Sequence, residues 1–160
     1  MFKSFEEAIA FAIGRESQAA DFYEAYAVKS EKPATRTMFK ALADEELKHK
    51  TLLEGITHEQ LSSLTVLKTE DLGLSSIIKD SQFSPDMEYP DALRMAIKKE
   101  EEAIQLYSFL TNQTLKNESE CKTAAELNQL KKLFDFLVAQ EKRHKNNLEA
   151  EYDAVVLKDY

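Results

Sequence analysis

Two short stretches carry residue types able to do chemistry: Glu46-Leu47-Lys48-His49 and Glu141-Lys142-Arg143-His144. Each sets a histidine three residues after a glutamate inside a helix-forming run. Residues at i and i+3 share a helix face, so the carboxylate and the imidazole can reach one point. Mixed oxygen and imidazole donors suit iron or manganese, with zinc able to substitute. Two such pairs in a chain of 160 residues suggest one shared centre holding two metal ions. Taken singly, either pair reads as an ordinary solvated face, because Glu46 precedes Lys50 and Glu141 precedes Lys145 at the favourable exposed i,i+4 spacing.

The duplication extends well beyond the two pairs. FAIGRESQAADFY (residues 11–23) aligns without gaps on MAIKKEEEAIQLY (95–107), placing Glu16 on Glu100 and Tyr23 on Tyr107. MFKALADEELKHKTLLE (38–54) aligns on LFDFLVAQEKRHKNNLE (133–149), placing Glu46 on Glu141 and His49 on His144. The chain is thus two helical hairpins of one design.

Four helices must carry these residues. The first spans 3 to about 30, opened by a Ser4/Glu7 capping box, with Phe5, Ile9, Ala12, Ile13, Glu16, Ala20, Tyr23 and Ala27 at steps of three and four. Pro33 ends it and starts the second, about 34 to 56, whose apolar face of Met38, Leu42, Leu52, Leu53 and Ile56 is interrupted by Glu45, Glu46 and His49. The third begins at Pro90 or Asp91 and runs to about Lys116 on Leu93, Ala96, Ile97, Glu100, Ala103, Tyr107 and Leu110. The fourth follows a polar turn at Asn117-Glu118-Ser119 and runs to about Glu149 on Leu130, Leu133, Phe134, Leu137, Glu141, His144 and Leu148. The tail from Glu151 to Tyr160 either extends this helix or crosses the bundle. Residues 58–89 show no sustained period beyond a possible short helix at Leu72–Lys79. A connection this long is not a hairpin loop; it is the right size to run the length of a bundle.

The expected fold is therefore all-α: one domain over residues 1–160, a four-helix bundle of two hairpins with one long crossover between the second and third helices. Glu16, Glu46, His49, Glu100, Glu141 and His144 then point inward. Unpaired buried carboxylates are costly and prefer to change protonation. Two divalent ions would neutralise all four. One Glu from each of two helices and a Glu-x-x-His from each of the other two is the arrangement of di-metal carboxylate bundles.

At these residues the chain resembles the ferritin-like di-iron carboxylate superfamily, and most closely its rubrerythrin branch, over roughly residues 5 to 150. The resemblance implies two iron ions, with Glu16 and Glu100 as terminal ligands, Glu46 and Glu141 bridging, and His49 and His144 binding one ion each. It also implies oxidation of ferrous iron by dioxygen or peroxide, an external electron donor, and an oxidoreductase of ferroxidase or peroxidase type. The chain departs from the pattern in two places. Cys121 is its only cysteine, so the four-cysteine rubredoxin-type iron is not expected here. Ala103 stands where the rubrerythrin pattern carries a further glutamate, and Glu102 is rotated from that direction by about 100°. Efficient peroxidase turnover is in doubt on that account.

Composition narrows the remaining possibilities. A formal charge of −8 argues against nucleic acid, which needs a basic face. One cysteine excludes an internal disulfide and any multi-cysteine metal site. No apolar run approaches a membrane span, and MFKSFEEAIAF has acids inside its apolar stretch, unlike a secretory signal, so a cytoplasmic protein is expected. Tyr23 and Tyr107 read as core aromatics with a hydroxyl near the site, able to donate to bound oxygen. Phe2, Phe11, Phe22, Tyr26, Phe109 and Phe136 lie partly off the ligand stripes and suit a homodimer or neighbouring helices. Two other readings stay open: metal handling without turnover, and a metal-free interaction bundle. A 24-subunit storage cage is not expected, since no clear fifth helix follows the fourth.

Overall fold

The computed structural model describes Phe2 and residues 4–56, 82–116 and 123–157. Four long helices make it up: α1 (Phe5–Lys29), α2 (Pro33–Gly55), α3 (Tyr89–Lys116) and α4 (Ala124–Tyr152), with a π-helical stretch at Asp153–Leu157. The expected short helix at 72–79, His58 and Cys121 lie outside the described residues.

Local chemistry sets the helix ends. Ser4 Oγ accepts from the Glu7 N–H at 3.1 Å and satisfies one of the orphan donors of α1. The chain leaves α1 extended at Ser30, and Pro33 opens α2 at a position where its missing N–H costs nothing. α4 starts later than the Asn117 turn suggests. Thr123 Oγ1 accepts from the Glu126 N–H at 3.2 Å, a Thr-x-x-Glu cap that the apolar period alone passes over. At its other end α4 continues past Glu149 to Tyr152 and into the π-helical stretch, so as far as Leu157 the tail extends the helix rather than crossing the bundle.

α1 packs along α2 and α3 along α4, the two hairpins expected from the repeat. The apolar interior divides into two clusters, one at each end. One joins Tyr23 and Ala27 of α1 to Met38 and Phe39 of α2, Leu93 of α3 and Leu148 of α4. The other joins Phe5 and Ala12 of α1 to Leu53 of α2, Tyr107 and Leu110 of α3 and Leu130 of α4. α2 and α3 therefore both run from the first cluster to the second. They are parallel, so the chain between them leaves from one end of the bundle and returns at the other. Its last residues dock on the α1–α2 turn: the Glu31 N–H donates to the Pro85 carbonyl at 2.8 Å, and Thr35 Oγ1 to the Met87 carbonyl at 3.4 Å.

The buried stripes follow the expected faces with a few shifts. α4 buries all seven expected positions. On α1 the buried line includes Ala8, while Ile9 and Ile13 are half-buried. On α2 Leu52 is exposed, and Phe39 and Ala43 take the interior instead. On α3 Ile104 is buried and Ala103 only half-buried. Of the extra aromatics, Phe2 and Phe136 are buried, Phe11 and Tyr26 half-buried, and Phe22 and Phe109 exposed. No described helix is long and apolar enough to cross a membrane.

Candidate metal centre

Between the two apolar clusters the bundle buries charge. Glu16, Glu46, Glu100 and Glu141 are each only 2% exposed, and His49 and His144 are buried beside them. α1 supplies Glu16, α2 supplies Glu46 and His49, α3 supplies Glu100, and α4 supplies Glu141 and His144. All six residues expected from the sequence come together.

Their geometry includes two overlapping sets of four, besides a smaller one of Glu46, His49 and His144. Glu16, Glu46, His49 and Glu141 offer donor atoms all within 4.8 Å of one another, and so do Glu46, Glu100, Glu141 and His144. Glu46 and Glu141 belong to both sets; each set adds one glutamate and one histidine of its own. His49 Nδ1 stands 3.7 Å from Glu16, 3.8 Å from Glu46 and 3.8 Å from Glu141. His144 Nδ1 stands 3.6 Å from Glu46 and 3.9 Å from Glu100. The two imidazole rings lie nearly parallel, 8° apart, with centroids at 4.7 Å.

These separations are too long for hydrogen bonds. They match donors that share an ion, since two ligands each about 2 Å from a metal stand about 3–4 Å apart. Glu46 Oε2, His49 Nδ1, Glu100 Oε2 and His144 Nδ1 are buried without a hydrogen-bond partner. Such orphaned atoms are expensive in an apolar interior. That they cluster around one space is the structure's own mark of a cation site, and the donor set fits a pair of divalent ions.

The remaining carboxylate oxygens are held by tyrosines in a crossed pattern. Tyr23 on α1 donates its hydroxyl to Glu100 Oε1 on α3 at 3.1 Å; Tyr107 on α3 donates to Glu16 Oε1 on α1 at 3.2 Å. Both hydroxyls are core aromatics near the site, as expected, but their protons are committed to carboxylates. Each hydroxyl fixes the orientation of the glutamate that accepts from it. His144 turns its other nitrogen, Nε2, toward Glu45, 3.8 Å away.

Burial dominates the electrostatics of the acid cluster. Burial pushes the Glu46 carboxyl up to about 12, reinforced by Glu16 and by the charge of Glu100. Burial likewise lifts Glu141 well above the carboxylate range, with Glu100 adding to it. Burial works against Glu16 as well, but its contacts with His49 and Glu46 outweigh it and hold that carboxyl below its ordinary value. Burial lowers His144 and keeps its imidazole neutral, the form that binds a metal. Burial and the neighbouring glutamates raise both tyrosines, so their hydroxyls keep the proton they donate.

One side of this centre is open. A cavity of about 280 Å³ between α1 and α3 reaches Glu16, Glu46, Glu100 and Glu141 and is bordered by Arg15, Phe22, Lys99 and Ala103. The sequence reading did not single out Arg15 or Lys99, although the repeat that pairs Glu16 with Glu100 also pairs Arg15 with Lys99 and Ala19 with Ala103.

Residues 7–73 match the family model for rubrerythrin. No curated protein and no solved structure matches the chain. The matched region covers α1 from Glu7 and all of α2, hence Glu16 and the first Glu-x-x-His; α3 and α4 repeat that design in a second hairpin that closes the bundle around the same centre. Over residues 7–73 the chain is similar to the rubrerythrin family, and its four long helices form an all-α bundle.

Proposed function

We propose that this protein binds two divalent metal ions, iron by preference, and uses them to reduce dioxygen or peroxide while ferrous iron is oxidised. The observation that supports it is the pair of four-residue donor sets sharing Glu46 and Glu141, with orphaned donor atoms turned into the space between them. Four carboxylates at one point need about four positive charges, which two divalent ions supply.

A pair of ferrous ions supplies two electrons, the number that takes dioxygen to peroxide or peroxide to water. The residues do the rest. Glu46 and Glu141, set between the two halves, would hold the ions at a fixed separation. Glu16 with His49, and Glu100 with His144, would each complete one half. Tyr23 and Tyr107 fix the rotamers of Glu100 and Glu16 through their hydroxyls. Apolar clusters lie on either side of the centre, and the α1–α3 cavity opens onto it. An external donor would return the ions to the ferrous state.

Aerobic addition of Fe(II) to metal-free protein tests the redox role. Oxidation should run faster than with a Glu46→Ala, Glu141→Ala variant; equal rates reject it. Metal uptake without accelerated oxidation or peroxide consumption would instead favour metal handling without turnover. Ala103, in place of a further carboxylate beside the cavity, is the feature that speaks for that second reading.

A further inference from the structure

The repeat gives the two halves of the centre the same donors but not the same neighbours. Glu46 aligns on Glu141, Lys48 on Arg143 and His49 on His144, each pair keeping its chemical type. The residue just before the motif changes: Glu45 aligns on Gln140. Both positions are half-buried.

Glu45 meets the centre from behind one of its imidazoles. Glu45 Oε2 stands 3.8 Å from His144 Nε2, while Nδ1 of the same ring is turned to Glu46 and Glu100. Glu45 Oε1 accepts from Lys48 Nζ at 3.1 Å, which ties the side chain to α2. Among the described residues, the acids close to His49 all face its Nδ1 and none stands at its Nε2.

We propose that Glu45 is a positioning residue for His144 and that it makes the two halves of the centre unequal. The ion held with Glu100 and His144 binds more tightly than the ion held with Glu16 and His49. This rests on the di-metal reading.

An imidazole that gives one nitrogen to a metal carries its proton on the other. With Nδ1 turned to the carboxylates, that proton sits on Nε2 of His144, on the side of Glu45. A carboxylate that accepts it fixes the tautomer, holds the ring in place and raises the donor strength of Nδ1. At 3.8 Å the contact is longer than a hydrogen bond. A bridging water or a small rotation of the half-buried Glu45 side chain closes it once a metal holds the ring. An amide at the equivalent position can accept the same proton. Hydrogen bonds to an ionised acceptor are about twice as strong, however, so Gln140 would leave His49 the less firmly held.

Zinc and a competing chelator measure this one half at a time. Glu16→Ala keeps only the four-residue set with Glu100 and His144, and Glu100→Ala only the set with Glu16 and His49. Zinc should bind at least about ten-fold more tightly in Glu16→Ala than in Glu100→Ala. Adding Glu45→Ala should weaken it by about 10–100-fold in Glu16→Ala and leave Glu100→Ala unchanged. Adding Gln140→Glu should strengthen it in Glu100→Ala. Proton NMR of the zinc-loaded native chain supplies a readout that a merely structural role would not move. The Nε2 proton of His144 should resonate downfield of that of His49, and should shift upfield in Glu45→Gln, which keeps the shape of the side chain. If a half-centre holds zinc too weakly to measure, this comparison decides. Equal weakening of both half-centres by Glu45→Ala would reflect a general loss of negative charge and overturns the proposal. A native chain that takes up two zinc ions, with half-centres indifferent to Glu45→Ala, overturns this inference alone. A native chain that takes up no zinc overturns it together with the di-metal reading.

Discussion

His49 and His144 stack face to face, their ring centroids 4.7 Å apart and their planes within 8°. They come from α2 and α4, at equivalent positions of the two hairpins. Each turns Nδ1 toward the carboxylates that both share, Glu46 among them. The stacking brings the two halves of the repeat to one centre rather than to separate faces of the bundle.

The sharing of Glu46 and Glu141 predicts how metal stoichiometry responds to substitution. The native chain should hold two divalent ions. Glu16→Ala should keep one of them, because only one donor set contains Glu16. Glu141→Ala should reduce both, because both sets contain it. Elemental analysis after equilibration with zinc and desalting measures this. A Glu141→Ala protein that still carries two ions would show that the carboxylate is not shared.

Proton release should accompany loading. Burial raises Glu46 to about 12 and raises Glu141 as well, so the metal-free protein holds protons there at neutral pH. Metal binding must displace them, about two per chain, readable by calorimetry in buffers of different ionisation enthalpy. The sign for stability follows from the same shifts. A carboxyl raised in the folded state favours folding fully below its unfolded value near 4.5 and loses that contribution as pH climbs toward the folded value. From about pH 7 to about pH 9, above the range of the lowered His144, metal-free protein should lose up to about 1.4 kcal/mol per pH unit for each proton held. Zinc-loaded protein should not show that loss. Thermal melts of both forms across this range check it, and a flat profile for the metal-free form would refute it.

The crossed tyrosines should act on opposite halves. Tyr23→Phe frees Glu100, and Tyr107→Phe frees Glu16. Each loss should weaken one of the two ions by about 10–100-fold and spare the other, as for other groups that orient ligands. Chelator competition that resolves two binding steps measures this. Equal weakening of both steps in either variant would mean that the tyrosines act on overall packing.

Much of this was legible in the one-dimensional chain because an α-helix converts spacing into direction. A Glu and a His three residues apart share a face whatever surrounds them, so Glu46–His49 and Glu141–His144 could be read as pairs. The internal alignment then tied Glu16 to Glu100 and fixed the two-hairpin design. Apolar periodicity found the four long helices among the described residues, but it misplaced Leu52 and the start of α4: burial depends on which neighbour lies opposite, and a cap depends on one side chain reaching one N–H.

Other features were decided only when four helices met. Sequence carries no distance between α1 and α3, so it could not show Tyr23 reaching Glu100 or Tyr107 reaching Glu16. Nor could it show the 280 Å³ opening in front of the acids, with Arg15 and Lys99 at its rim. The chain alone determined which groups face inward. Only packing determined which of them touch and which side of the centre stays open, because contacts between helices depend on how their axes are set against one another, and no period along one helix records that.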